Sequence, residues 1–188
     1  MSEEVWNKRT PEQVGKREHE VFEKTLLPYV DAAYNLARWL TRSEHDAEDI
    51  VQESFLRAMR SFGTFIPGRD ARAWLLAIVR NCCRTWLKRK GFDKPLNELD
   101  ESVPATELWS DPEAVVIDNM NSQLIRRAVE ELPLEYREVL ILRELEELSY
   151  KEIAQILEIP LGTVMSRLSR SRRELHGRLC NVIQEGRK

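Results

Sequence analysis

The chain has 188 residues, 42% of them hydrophobic and 32% charged, which is enough for one large domain or two small ones with real cores. No apolar run approaches the roughly 20 residues that span a bilayer, and the charged N-terminal stretch does not resemble a signal peptide, so we expect a cytoplasmic protein without membrane insertion of its own. The three cysteines and three histidines match neither a disulfide framework nor a zinc site. We therefore expect no metal and no cofactor, with Cys82 and Cys83 as buried, inert thiols.

The formal net charge of −3 would ordinarily argue against a nucleic-acid binder, but the charges are segregated along the chain. Residues 71–90 contain six basic side chains and no acid, whereas residues 92–120 contain eight acids and a single lysine. The basic segment can therefore meet an anionic partner even though the whole chain is acidic.

Apolar residues recur at spacings of three and four almost throughout, and no alternating stretch is bounded by turn signals. This pattern predicts an all-α fold. A first helix is expected from Arg17 to Thr41, bent or broken at Pro28. The stretch from Met1 to Lys16 has no clear periodicity, so it is interpreted as an N-terminal extension.

A second helix is predicted after a cap at Ser43 to Asp46, with one apolar face and one polar face. Phe62 to Gly68 carries two glycines and a proline, which predicts a loop. Asp70 is expected to cap a helix over residues 71–90 that Gly91 ends. These elements form a predicted first domain, residues 17–91.

Three prolines punctuate the acidic segment, which has little apolar periodicity, so residues 92–111 are interpreted as a linker. Asp111 and Pro112 are typical of the start of a helix, here one that reaches Glu131. Pro133 is expected to open the next helix. The second predicted domain covers residues 112–183.

The sharpest local pattern is SYKEIAQILEIPLGTVMSRLSRS, residues 149–171, which is typical of a helix-turn-helix. Ser149 and Glu152 form a capping box. Val164 and Leu168 are expected to face the core and so to form the apolar side of the second helix. Glu158 stands at a turn position where glycine is common. The side chains left to meet phosphates and base edges are Thr163, Ser166, Arg167, Arg170 and Arg173. The alternative is a solvated helical hairpin.

A second constellation lies in ARAWLLAIVRNCCRTWL, at Ala71 to Leu87, and the basic residues after it. Arg80, Arg84 and Lys88 follow at four-residue spacing and share a face, with amide and aromatic side chains interleaved. This combination suits a nucleic-acid strand whose bases are unstacked. Trp74 is expected to belong to the core rather than to a stacking platform, and the alternative for the whole helix is a solvated basic face.

The two patterns, together with DAEDIVQESFLRAMRSF at Asp46 to Phe62 and their order around one acidic linker, resemble the extracytoplasmic-function sigma factors. The resemblance covers about 150 residues. It implies two helical domains and a transcription initiation factor, with core RNA polymerase, promoter DNA and an anti-sigma factor as partners.

The resemblance also implies sites. The first domain would dock on polymerase through Asp49, Gln52 and Glu53, with Arg57 nearby. The loop from Ser61 to Arg69 and the helix after it would melt the minus-10 element, with Asn81 at a flipped base and Arg80, Arg84 and Lys88 on the backbone. The minus-35 element would be read by Met165, Ser166, Arg167, Ser169 and Arg170. Met165 and Ser169 depart from frequent family choices.

Other classes of protein fit less well. A regulator that binds duplex operator DNA without polymerase would use the helix-turn-helix alone. The basic helix would then have no assigned function. An enzyme is disfavoured because no catalytic motif is present, and acid pairs such as Glu146 and Glu147 are expected to be solvated surface. A further hypothesis is that the acidic linker lies on the basic helix in the free protein and suppresses stray DNA binding.

Overall fold

The structure is a computed structural model that describes the backbone of residues 11–91 and 119–185 and the side chains of residues 19–91 and 123–180. All the regular elements in these ranges are helical. This confirms the all-α prediction. The helices are α1 Pro11–Leu26, α2 Val30–Thr41, α3 Glu44–Ser61, α4 Ala71–Arg89, α5 Asn119–Glu130, α6 Leu134–Glu144, α7 Tyr150–Leu157 and α8 Leu161–Glu185, with short 3₁₀ helices at Leu27–Tyr29 and Phe62–Thr64. No helix in these ranges is both long and apolar enough to cross a bilayer.

The first predicted helix is interrupted at Pro28, as expected. The α1 helix ends at Leu26, a 3₁₀ turn covers the proline, and α2 begins at Val30, because proline lacks the amide hydrogen and its ring clashes with the preceding turn. The structure differs at the other end. The α1 helix begins at Pro11, inside the stretch from Met1 to Lys16 that was interpreted as an extension, since proline is well tolerated at the first helical position even where apolar periodicity is weak.

The α3 helix begins where its cap was predicted. The Ser43 hydroxyl accepts a hydrogen bond of 3.3 Å from the Asp46 amide, which satisfies one of the unpaired donors of the first turn. The helix turns Ala47, Ile50 and Ala58 into the core. Its opposite, polar face therefore stays accessible.

The α4 helix is capped at both ends by the predicted residues. The Asp70 carboxylate accepts hydrogen bonds of 2.8 Å and 3.1 Å from the Arg72 and Ala73 amides. Gly91 follows the helix at φ 73°, a left-handed conformation that glycine adopts without steric cost. Between these ends, Leu75 and Leu76 are fully buried, each contributing about 1.5–3 kcal/mol through burial.

The second domain consists of α5 to α8 around its own apolar residues. Pro133 stands at the N-cap of α6, as predicted. Leu142 of α6, Ile153 of α7 and Leu168 of α8 are fully buried together with their neighbours. The predicted linker, residues 92–111, and the predicted helix start at Asp111 lie outside the described residues.

The two domains pack against each other. The α2 helix lies on α6, and α4 lies on α7, so buried apolar residues of both domains form one continuous cluster. The sequence did not predict this contact. It places the basic helix α4 of the first domain against the acidic residues of α6 and of the turn after it.

Candidate nucleic-acid interface

The helix-turn-helix begins with the predicted capping box. The Glu152 carboxylate accepts a hydrogen bond of 2.6 Å from the Ser149 amide, and the Ser149 hydroxyl accepts one of 3.3 Å from the Glu152 amide. The hydrogen bonds from Ser149 lower the pKa of Glu152 below its usual value. Both residues therefore fix where α7 starts.

The turn between α7 and α8 places Glu158 in the left-handed region, at φ 56°. Its amide still donates to the Ala154 carbonyl, which closes the end of α7. This conformation explains why glycine is common at such a position, since a residue with a Cβ atom pays about 1 kcal/mol there. Glutamate nevertheless makes the turn, and the helix-turn-helix prediction holds.

The α8 helix is oriented by its apolar side. Val164 is fully buried and Leu168 is 2% exposed, as predicted, and Ser171 lies on the same buried side. Because these three positions are four and three residues apart, they lie on one face of the helix, and the side chains of the other faces point outward. The outward set, each side chain at least partly exposed, comprises Thr163, Met165, Ser166, Arg167, Ser169, Arg170 and Arg173.

This exposed side of α8 has the size and chemistry to enter a major groove. Met165 is 41% exposed, and one turn of helix separates Arg167 from Arg170, so both guanidinium groups emerge from the same region of the surface. The Ser166 hydroxyl donates to the Thr163 carbonyl at 3.1 Å. The arrangement offers arginine donors for guanine edges or phosphates.

The basic helix α4 is partly covered by the second domain. Arg80 is buried, and both Arg80 and Arg84 hydrogen-bond to the Glu138 carboxylate of α6. Asn81 is exposed and accepts a hydrogen bond of 3.0 Å from the Arg80 guanidinium. Lys88 is exposed. The structure therefore brings two of the four predicted minus-10 residues, Arg80 and Arg84, onto one acid of the other domain.

Glu146 corrects the expectation that the acids at 146 and 147 are solvated surface. Glu146 is only 3% exposed, and its carboxylate forms an ion pair with Arg72 of α4. The side chain is buried because docking of the two domains supplies a cation that lies far away in the sequence. Glu147, in contrast, is exposed, as expected.

The polar face of α3 lies on the surface. Asp49, Gln52 and Glu53 are at least partly exposed, and Arg57 donates a hydrogen bond of 2.7 Å to Glu53 that lowers the pKa of that carboxyl. Leu56, which was not among the predicted residues, is 49% exposed one turn beyond Gln52 and Glu53.

The loop after α3 is anchored by aromatic rings. The ring of Phe65 stacks on Phe62 at 5.7 Å between centroids and lies 5.3 Å from the ring of Trp74, so Trp74 packs against the core as predicted. Ile66, at the loop tip, is 51% exposed. Beside Trp74, a cleft of about 630 Å³ runs between the first turns of α4 and the end of α7.

The two adjacent cysteines belong to the core of the first domain. Cys82 and Cys83 are buried, and burial raises the pKa of the Cys83 thiol. Among the described side chains, no group of three or more histidines, cysteines or acids is placed to hold a metal ion. The candidate site consists of two helical surfaces, on α4 and on α8.

The two helical surfaces lie in ranges that match two different family models. Residues 26–92 match the family model for sigma-70 region 2, and residues 122–175 match that for sigma-70 region 4. The first range contains α2 to α4, and the second contains the helix-turn-helix. The α4 surface therefore lies in the range that matches region 2, and the α8 surface lies in the range that matches region 4.

Whole-length relatives match as well. The sequence is 31% identical to the ECF RNA polymerase sigma-E factor of Escherichia coli K12, over 98% of this chain and all of the relative. It is 34% identical to the ECF RNA polymerase sigma factor SigW of Bacillus subtilis, over 95% of this chain and all of the relative.

A solved structure shares the fold of both domains. The sigma factor RpoE of Bartonella quintana, in complex with the anti-sigma factor NepR, matches with a TM-score of 0.66 at 27% identity, over 85% of this chain and 97% of that one. The sigma-70 regions, the full-length relatives and this fold agree. The chain belongs to the extracytoplasmic-function sigma factors, which direct RNA polymerase to specific promoters.

Proposed function

We propose that the chain divides promoter recognition between its two domains. The first domain binds core RNA polymerase through α3 and holds the minus-10 element on α4, and the second domain reads the minus-35 element through α8. The observation that carries this assignment is the outward side of α8, whose arginines stand opposite the buried pair Val164 and Leu168. The protein acts in the cytoplasm, where polymerase and promoter DNA are found.

The polymerase surface consists of Asp49, Gln52 and Glu53, with Arg57 and Leu56 beside them. Positions 49, 52, 53 and 56 follow the spacing of three and four that defines one helical face. The charged side chains of this face can steer a partner toward it, and the exposed Leu56 at its end adds apolar contact area. The α3 helix packs mainly on α2 and α4, which leaves this face available to a partner.

The minus-10 surface consists of Arg80, Asn81, Arg84 and Lys88. Arginine and lysine neutralise phosphates whatever the sequence, whereas the exposed amide of Asn81 can pair with the edge of an unstacked base. A single face thus supplies both backbone and base contacts.

The minus-35 surface consists of Thr163, Met165, Ser166, Arg167, Ser169, Arg170 and Arg173. Arg167 and Arg170 supply the donors that favour guanine in the major groove. Met165 and Ser169 add an apolar group and a hydroxyl to this surface. We expect these two residues to give this factor its own promoter preference.

An anti-sigma factor is the further partner that we propose, because the Bartonella relative with the same fold was solved with one. The alternative function, an operator-binding regulator that works without polymerase, leaves the first domain unused. The match of that domain to sigma-70 region 2 favours the sigma factor.

The test is run-off transcription with purified core RNA polymerase on a pool of genomic promoter fragments. Discrete transcripts that require this protein would establish the activity. Arg167→Ala and Asn81→Ala should each reduce them at least about tenfold, because one removes a groove contact and the other a base contact. Arg127→Ala is the matched control, since Arg127 is exposed on α5 outside both surfaces.

Two results would contradict the proposal. One is the absence of transcripts and of comigration with core polymerase while the protein is folded. The other is tight binding to duplex operator fragments without polymerase, which would favour the alternative regulator.

A further inference from the structure

The first turns of α8 carry an exposed apolar patch, which consists of Leu161 and Met165. Leu161 is 39% exposed and Met165 is 41% exposed. The two residues are four positions apart, so their side chains lie on the same face of the helix. Val164 forms the buried side of these turns, and the patch contributes little to the core. Its apolar surface is therefore available for burial against a partner.

The polar groups beside the patch are few. Residues 161–166 contain no charged side chain, and the arginines of α8 begin at Arg167. The Ser166 hydroxyl donates its hydrogen bond to the Thr163 carbonyl at 3.1 Å, so its hydrogen is directed back to the helix. Gly162 has no side chain, and a Cβ atom added there would meet no other part of the protein within 4 Å. The start of α8 therefore presents apolar groups and leaves room for another molecule to approach.

The major groove of DNA offers one apolar substituent to such a patch, the 5-methyl group of thymine. The polar groups on the base edges in this groove donate or accept hydrogen bonds. An apolar side chain pressed against them would leave them unpaired, which is unfavourable, whereas contact with the thymine methyl removes apolar surface of both partners from water. The N-terminal residues of the second helix of a helix-turn-helix meet the base edges, and this is where the patch lies.

We propose that Leu161 and Met165 pack on the 5-methyl group of a thymine in the minus-35 element, and that this contact makes the factor prefer thymine at that position. The inference rests on the proposed function, because it assumes that α8 enters the major groove of the minus-35 element. It assigns a base and a chemical group to residues for which the proposed function gives only a general promoter preference.

Met165 is suited to this contact. Its unbranched, flexible side chain ends in a methyl group, so it adapts to a partner whose place depends on the local shape of the DNA. Leucine at this position would keep an apolar contact, whereas serine would remove it and add a hydroxyl that bonds to several bases. Because position 165 is exposed, both replacements should change the stability of the fold little.

The first experiment identifies the base. The minus-35 element of a promoter found by run-off transcription is randomised, and the fragments bound by the full-length protein in complex with core RNA polymerase are sequenced. The wild type should enrich thymine at a position where Met165→Ser does not. Enrichment of thymine at no position, or the same enrichment with both proteins, would overturn the proposal.

The second experiment removes a single methyl group from the DNA. Uracil differs from thymine only in lacking the 5-methyl group, so deoxyuridine at the enriched position leaves every hydrogen-bonding group in place. The wild-type complex should bind the deoxyuridine promoter about fourfold more weakly, as expected for the loss of one buried methyl group. Met165→Leu should keep most of this difference, whereas Met165→Ser should bind the two promoters equally.

Leu145→Ala is the matched control for the protein. Leu145 is 48% exposed at the end of α6, so this change removes an exposed apolar side chain from the same domain without altering α8. The variant should distinguish the two promoters as the wild type does. Deoxyuridine in place of a thymine upstream of the minus-35 element is the matched control for the DNA, and it should leave the wild-type affinity unchanged.

Two results of the second experiment would contradict the inference. Equal binding of the thymine and deoxyuridine promoters by the wild type would show that the methyl group is not read, and this comparison needs no protein variant. A Met165→Ser variant that loses transcription but stays sensitive to the methyl group would assign Met165 to a contact with polymerase instead of DNA.

Arg167→Ala keeps the two proposals apart. A wild type that initiates transcription and loses activity with Arg167→Ala, but that ignores the thymine methyl group, would retain the proposed function and lose the inference. A wild type whose binding does not depend on the minus-35 sequence at all would contradict the proposed function itself.

Discussion

The guanidinium of Arg137, in α6, donates a hydrogen bond of 3.2 Å to the carbonyl of Leu40, in the last turn of α2. The same side chain reaches the Trp39 carbonyl at 3.4 Å and the Leu132 carbonyl at 2.8 Å. The last carbonyls of a helix have no partner within it and carry partial negative charge. A residue of the second domain therefore completes the end of a helix in the first.

Replacing Arg137 should destabilise the protein through the loss of its hydrogen bonds to buried carbonyls as well as through the loss of its charge. Burial lowers the pKa of Arg137 to about 10, so the side chain is still a cation at neutral pH. Arg137→Met would leave buried carbonyls unsatisfied, and we expect the free energy of unfolding to fall by about 3 kcal/mol. Urea denaturation followed by circular dichroism measures this change.

Arg127→Met is the control for this prediction, because Arg127 is exposed on α5 and its replacement should change stability by less than about 0.5 kcal/mol. Equal stabilities of the two variants would show that the Arg137 contacts contribute nothing measurable.

The capping box of α7 should contribute both stability and pH dependence. Ser149→Ala should lower the free energy of unfolding by about 1 kcal/mol. The Ser149 hydrogen bonds lower the pKa of Glu152 from 4.5, so the folded state favours the ionised carboxyl. The resulting stabilisation is present above the unfolded pKa and is lost as the pH falls through the lower folded pKa.

Urea titrations of the wild type and Glu152→Gln at several pH values would measure this effect. The wild type should be the more stable protein near neutral pH, and the difference should shrink as the pH drops below 4.5. A difference that is constant across that range would rule out the ionised carboxyl as its source.

The turn of the helix-turn-helix should tolerate glycine better than its native residue. Because Glu158 adopts φ 56°, Glu158→Gly should raise the free energy of unfolding by about 1 kcal/mol. Glu48→Gly, at an exposed position within α3, should lower it by about 1 kcal/mol. Thermal denaturation of both variants would decide the matter, and a loss of stability in both would refute the strain argument.

The three thiols should react in two classes. Cys180 is partly exposed, whereas Cys82 and Cys83 are buried, and burial raises the pKa of Cys83 so that little thiolate forms. Titration of the native protein with Ellman's reagent should modify one thiol quickly, and Cys180→Ser should remove that phase. Rapid reaction of a second thiol would show that α4 opens readily.

Helix caps, the helix break at Pro28 and the inward positions of α8 were predictable, because they depend on residues that lie close together in the sequence. Ser43, Asp70 and Ser149 act through hydrogen bonds that reach at most three residues along the chain, and Pro28 acts on its own helical turn. The inward positions of Val164 and Leu168 follow from helical periodicity alone. The order of these local patterns was also sufficient to indicate the family.

The contact between the domains was not predictable in this way. Glu138 meets Arg80 across 58 positions of the chain and Glu146 meets Arg72 across 74, and no short-range pattern distinguishes these acids from solvated ones. A carboxylate in a helix is an ordinary surface residue until a distant cation is brought beside it. The covering of the α4 arginines therefore follows only from the docking of α6 and the turn after it against the first domain, because burial and pairing of charges depend on which surfaces meet.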